Sequence, residues 1–95
     1  MSLNRYAKKV DANKADLLAV FERVGGAWFE GGPLDGWAAF RGEWFPVEIK
    51  NPKGRNRLTP LQVDFIEAAK ARNAPVWVWR TEDDVYNCTG ALRVA

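Results

Sequence analysis

The sequence predicts an α/β chain: a mixed sheet flanked by helices, in the order α-β-β-β-α-β. Three observations lead there. Leu17, Leu18, Phe21 and Val24 recur at helical spacing and are stopped by Gly25-Gly26. Three short apolar segments follow, separated by Gly31-Gly32-Pro33 and by a turn at Gly42, which is strand-and-turn chemistry. Thr59-Pro60 then opens a second helical stretch, and Val76, Trp77, Val78 and Trp79 alternate as in a strand.

Taken in order, residues 1–10 carry Arg5, Lys8 and Lys9 without clear periodicity and read as a basic, partly ordered arm. Asp11 or Asn13 caps the first helix, because a short polar side chain can accept from the unpaired amides of a first turn. Residues 27–30 form a first strand and residues 36–41 a second. A tight hairpin at Gly42, with Arg41 and Glu43 beside it, leads to a third strand over residues 44–50. Pro46 places that strand at an edge or a bulge, since proline cannot donate to a ladder. Residues 51–57 are a polar loop. The second helix runs from Thr59 to Asn73, with Leu61, Phe65, Ala68 and Ala69 as its buried stripe. Residues 74–80 are the last strand, and Thr81 caps a short helix through Asp84. At 95 residues the chain is a single domain, 1–95, with its core over about residues 10–84.

What is missing narrows the chemistry. The sequence has no histidine, one serine (Ser2) and one cysteine (Cys88). Histidine-centred hydrolases, serine acyl transfer, zinc clusters and disulfide scaffolds are therefore excluded, and a reducing, cytoplasmic setting is the default. No glycine-rich phosphate loop, signal segment or membrane span is present. Chemistry must come from carboxylates, lysine, tyrosine or a metal held by oxygen.

Asp35 stands at the start of the second strand, and Glu48, Ile49 and Lys50 near the end of the third. Hairpin pairing brings Asp35 alongside Glu48, and the two-residue spacing puts Glu48 and Lys50 on one face. Two carboxylates with the Ile49 carbonyl suit Mg²⁺, a hard cation that takes oxygen ligands. Lys50 beside them can orient or deprotonate a water, or neutralise charge on a phosphate. A same-face Glu48–Lys50 ion pair on an exposed strand is the plain alternative.

The order D-A-N-K-A-D-L-L, G-G-P-L-D-G, V-E-I-K and R-L-T-P-L-Q resembles the PD-(D/E)xK nuclease superfamily, and more closely its virus-type replication-repair nuclease (VRR-NUC) domains. The resemblance runs from about Val10 to Asp84. It implies a restriction-endonuclease-like fold, with Asp35 and Glu48 as ligands of Mg²⁺ (Mn²⁺ as substitute), the Ile49 carbonyl beside them, and Lys50 as catalytic lysine. Gln62 matches the family's glutamine on the second helix, which organises the site. Asp16 lies where the family places an acidic residue on its first helix; Asp11 and Asn13 are rivals for that place. The sequence departs from the family in P-L-D, where proline ordinarily precedes the aspartate directly, but the spacing from Asp35 to Glu48 agrees. The implied activity is metal-dependent endonucleolytic hydrolysis of structured or branched, junction-like DNA, as in phage recombination or repair. The rival reading is a non-catalytic DNA-binding or assembly module that keeps the fold, and a toxin-like interaction protein is a third.

Basic residues crowd beside this constellation. Asn51, Lys53, Arg55 and Arg57 fall in one loop, and Lys8 and Lys9 in the arm, while Glu82, Asp83 and Asp84 gather elsewhere. Such segments grip phosphates without reading sequence. Trp77 and Trp79 alternate with Val76 and Val78, so both faces of the last strand are apolar, and Trp28, Trp37 or Trp44 are candidates for the same surface. If the two helices cover one face, the other is left for a second copy of the chain, giving a homodimer, or for the arm and tail to fold over.

Overall fold

The computed structural model describes residues 5–52, 54 and 57–90. It is a mixed α/β arrangement of three helices and a four-stranded sheet. The elements are α1 (Arg5–Arg23), β1 (Ala27–Glu30), β2 (Gly36–Phe40), β3 (Glu43–Ile49), α2 (Pro60–Ala71), β4 (Trp77–Trp79) and α3 (Glu82–Thr89). Strand order follows the chain: β1 and β2 are antiparallel, as are β2 and β3, whereas β3 and β4 are parallel. Among the described residues no helix is long and apolar enough to cross a membrane.

The turns follow from their residues. Arg41 (φ 50°) and Gly42 (φ 81°) both adopt left-handed backbone between the paired Phe40 and Glu43. That is the two-residue turn whose twist matches the flanking strands. Thr59 caps α2: its hydroxyl accepts from the Gln62 amide (3.2 Å), and the Gln62 side-chain oxygen accepts from the Thr59 amide (3.0 Å). Thr81 opens α3, where the Asp84 carboxylate accepts from the Arg80 and Thr81 amides at 2.7 and 3.3 Å.

The core lies between the sheet and the pair α1 and α3. Leu17, Val20 and Phe21 pack on Ala38, Phe40, Val47 and Trp79, with Val85 from α3. The Phe21 ring lies 5.1 Å from that of Trp79 and 6.3 Å from that of Trp77. Helix α2 lies on the opposite face, its Phe65 ring 6.5 Å from Trp37 and nearly perpendicular to it.

Five expectations are corrected here. Helix α1 begins at Arg5, so residues 5–10 are helical backbone and not an arm, and Asp11 and Asn13 lie inside the helix and not at its cap. The run is rich in Ala, Lys and Arg, which favour helix over an early stop. The third helix runs on to Thr89 and ends at Gly90 in left-handed backbone (φ 69°). Strand β3 is interior, between β2 and β4. Its proline is accommodated because the Ile49 amide turns to the β2 side and the Lys50 amide to the β4 side, so by alternation the Pro46 nitrogen faces the β4 side, where pairing begins only at Val47. The helices do not share a face, and Trp77 and Trp79 lie under α1 and α3. Trp79 is wholly buried, so the tryptophan face of β4 belongs to the core. Finally, no α2 residue is buried; Leu61, expected in the core, is 70% exposed.

Candidate metal and phosphodiester site

The site sits where the turn after β1 enters β2 and where β3 ends. The Asp35 amide donates to the Val47 carbonyl (3.0 Å), and its carboxylate Oδ2 accepts from the Ile49 amide (2.6 Å). An acceptor charge makes such a bond stronger than an ordinary ladder bond. Asp35 is thus fastened to both residues that flank Glu48. Gly36, next in the chain, allows close packing behind it: a Cβ there would lie 2.3 Å from the Trp28 ring and 2.6 Å from the Phe29 carbonyl.

Glu48 is 8% exposed, and its Oε1 is buried without a hydrogen-bond partner among the described residues. Burial pushes its carboxyl up from the ordinary 4.5 to about 7; the charge of Asp35 and a hydrogen bond with it push the same way, and Lys50 pulls against them. The side chains of Asp35 and Lys50 are therefore both near enough to act on the Glu48 carboxyl.

Neighbouring segments hold this end of the sheet in place. The Lys50 amide donates to the Trp79 carbonyl (2.8 Å), and Asn13 of α1 reaches the Lys50 carbonyl in a long bond of 3.5 Å. Glu30, at the end of β1, accepts from both Lys14 and Trp28. These two bonds hold its carboxyl below the usual range and tie α1 to the sheet.

On the α2 side, Glu48 and Lys50 line a cavity of about 310 Å³ with Leu58, Ile66, Lys70 and Val78. The β3 side chains alternate, so Trp44, Pro46 and Glu48 share this face, and Lys50, just beyond the strand, joins Glu48 at the cavity. Farther along it lie Phe29 (63% exposed) and Trp44 (55% exposed), their rings 5.6 Å apart.

Asp35, Glu48, Ile49 and Lys50 are thus brought together. Asp16 is exposed on α1, and it is Asn13, one turn earlier, that touches the Lys50 carbonyl. Gln62 spends its side-chain oxygen on the capping box of α2. Asn51 and Arg57 lie in the loop between β3 and α2, and Lys8 and Lys9 in the first turns of α1, whereas Lys53 and Arg55 lie outside the described residues. Among the described residues no group of three or more acidic, cysteine or histidine side chains gathers, so the acidic set at this end is a pair. Sequence reasoning missed Ile66 and Lys70. Their signal was the spacing 62, 66, 70, which is one helix face. Comparison with protein-family models, with curated proteins and with solved structures returned no match.

The pair fits a hard divalent cation. A buried carboxylate oxygen without a partner, within reach of a second carboxylate's charge, is costly unless protonated or balanced by positive charge. Two carboxylates with backbone carbonyl and water are the donors Mg²⁺ accepts.

Proposed function

We propose that this chain is a Mg²⁺-dependent endodeoxyribonuclease of the PD-(D/E)xK type, with the restriction-endonuclease-like arrangement of the VRR-NUC domains, acting on structured or branched DNA. One observation carries the reading: the Asp35 carboxylate is fastened beside a buried Glu48 whose Oε1 lacks a partner, with Lys50 next to them.

Asp35 and Glu48 would hold the cation, with the Ile49 carbonyl as a further oxygen donor beside them. When bound, Mg²⁺ polarises the phosphodiester and acidifies water. The chain's own groups do the rest. The bond from the Ile49 amide fixes the Asp35 carboxylate before any ligand arrives, so little reorganisation is needed. Glu48, whose carboxyl is pushed up by burial, would have to release its proton to solvent to serve as an anionic ligand. Lys50 orients the attacking water and balances the charge that develops on the phosphate. Gln62 acts by fixing the start of α2, which holds Ile66 and Lys70 against the site. Lys8, Lys9, Asn51, Lys53, Arg55 and Arg57 supply phosphate contacts that carry no sequence preference.

A homodimer remains the assembly we propose, with its surface at the exposed Phe29 and Trp44. A cytoplasmic setting accords with the lone, half-buried Cys88.

The test is cleavage of four-way, flapped and linear DNA with Mg²⁺ or Mn²⁺, by the wild type and by Lys50→Ala. The expected result is metal-dependent cleavage, lowered about 10²- to 10⁴-fold in the variant, with DNA binding retained. Equal activity in both proteins would sink the assignment.

A further inference from the structure

The cavity beside Glu48 has a shape and chemistry that the metal pair does not use. Its volume of about 310 Å³ is at the small end of ligand pockets, room for one base with its sugar and not for a stacked pair. Leu58, Ile66, Val76 and Val78 make aliphatic walls, Leu58 and Ile66 from α2 and its approach, Val76 and Val78 from β4 and the residue before it. Charge is confined to Glu48, Lys50 and Lys70. Glu48 is more than nine-tenths buried and has an unpartnered oxygen. Lys70 lies two turns after Gln62 on the same helix face and adds a second lysine to the cavity lining, from α2 where Lys50 comes from the end of β3.

Apolar walls with a cationic rim match an amphipathic ligand: a flat ring system carrying a phosphate. We infer that this cavity takes the base of one unpaired nucleotide, with its phosphate held by Lys50 and Lys70 next to the carboxylate pair. The inference rests on the nuclease reading and sharpens it, since it makes the substrate a strand with an unstacked nucleotide at the cut, as at a branch, flap or end. Drawing a base out of a continuous duplex costs unstacking energy, which an already unpaired base does not require.

Amide NMR of the full chain in Mg²⁺, titrated separately with 5′-dTMP, thymidine and inorganic phosphate, tests this. The expected result is saturable shifts of the Ile66, Val76 and Val78 amides with 5′-dTMP, at an affinity about tenfold above that of either fragment. Lys70→Ala, at an exposed position, weakens 5′-dTMP about tenfold and leaves thymidine unchanged. Ile66→Trp fills the cavity and abolishes the 5′-dTMP shifts. The absence of saturable shifts at these amides, or unchanged 5′-dTMP binding by Ile66→Trp, overturns the inference. A Mg²⁺ titration of the same samples keeps the two readings apart. Mg²⁺ shifts at Ile49 without a 5′-dTMP response remove the base pocket alone. A 5′-dTMP response without Mg²⁺ shifts supports the pocket and removes the nuclease.

Discussion

Asp35 brackets Glu48: its amide is bonded to Val47 and its carboxylate to Ile49, the two residues on either side of the buried glutamate. The two acids are therefore held together by the backbone of the sheet, whatever ligand is present. Asp35→Asn keeps an acceptor for the Ile49 amide but removes its charge. The variant should lose about 1 kcal/mol of stability, since a bond to a charged group is worth more than a neutral one. It should also bind Mn²⁺ at least about tenfold more weakly by calorimetric titration, because one of two anionic ligands is gone. Wild-type Mn²⁺ affinity in this variant would rule out Asp35 as a ligand.

Glu48 makes the metal-free protein sensitive to pH. Between 4.5 and about 7 the folded chain keeps a proton that the unfolded chain has released. Stability is thus complete below this window and declines as the pH rises through it. Across the window the expected loss is roughly 3 kcal/mol, at about 1.4 kcal/mol for each pH unit crossed. Thermal denaturation in chelator should give a lower Tm for the wild type at pH 8 than at pH 5. Glu48→Gln should flatten that dependence and be the more stable protein at pH 8. A wild-type Tm that does not fall between pH 5 and 8 would refute the burial argument.

Gln62 separates capping from catalysis. Gln62→Ala removes one half of the capping box and should cost about 1 kcal/mol by denaturant titration. Glutamate is the other residue that closes such a box, so Gln62→Glu should restore both stability and cleavage. Stability restored without cleavage would instead give the amide a direct part in the site.

The proposed dimer is tested at the exposed Phe29 and Trp44 patch. Light scattering of the wild type should give twice the chain mass, and Trp44→Ser should give the 10.7 kDa monomer. A wild type that scatters as a monomer at working concentration would end the dimer proposal.

Local chemistry determined a good deal by itself. The left-handed turn at Arg41-Gly42, the caps at Thr59 and Thr81, and the meeting of Asp35 with Glu48 all follow from residues close in sequence, whose backbone preferences need no partner. Tertiary packing decided the rest. Val76, Trp77, Val78 and Trp79 are apolar on both faces, so periodicity cannot say which face receives two helices and which receives one. The fold gives the tryptophans to α1 and α3 and the valines to the cavity under α2. In the same way Pro46 forbids one ladder bond, but only the late start of β4 shows that none was required there. Burial of Glu48, on which the proposed chemistry depends, is likewise a property of what packs around it and not of the tripeptide Glu48-Ile49-Lys50.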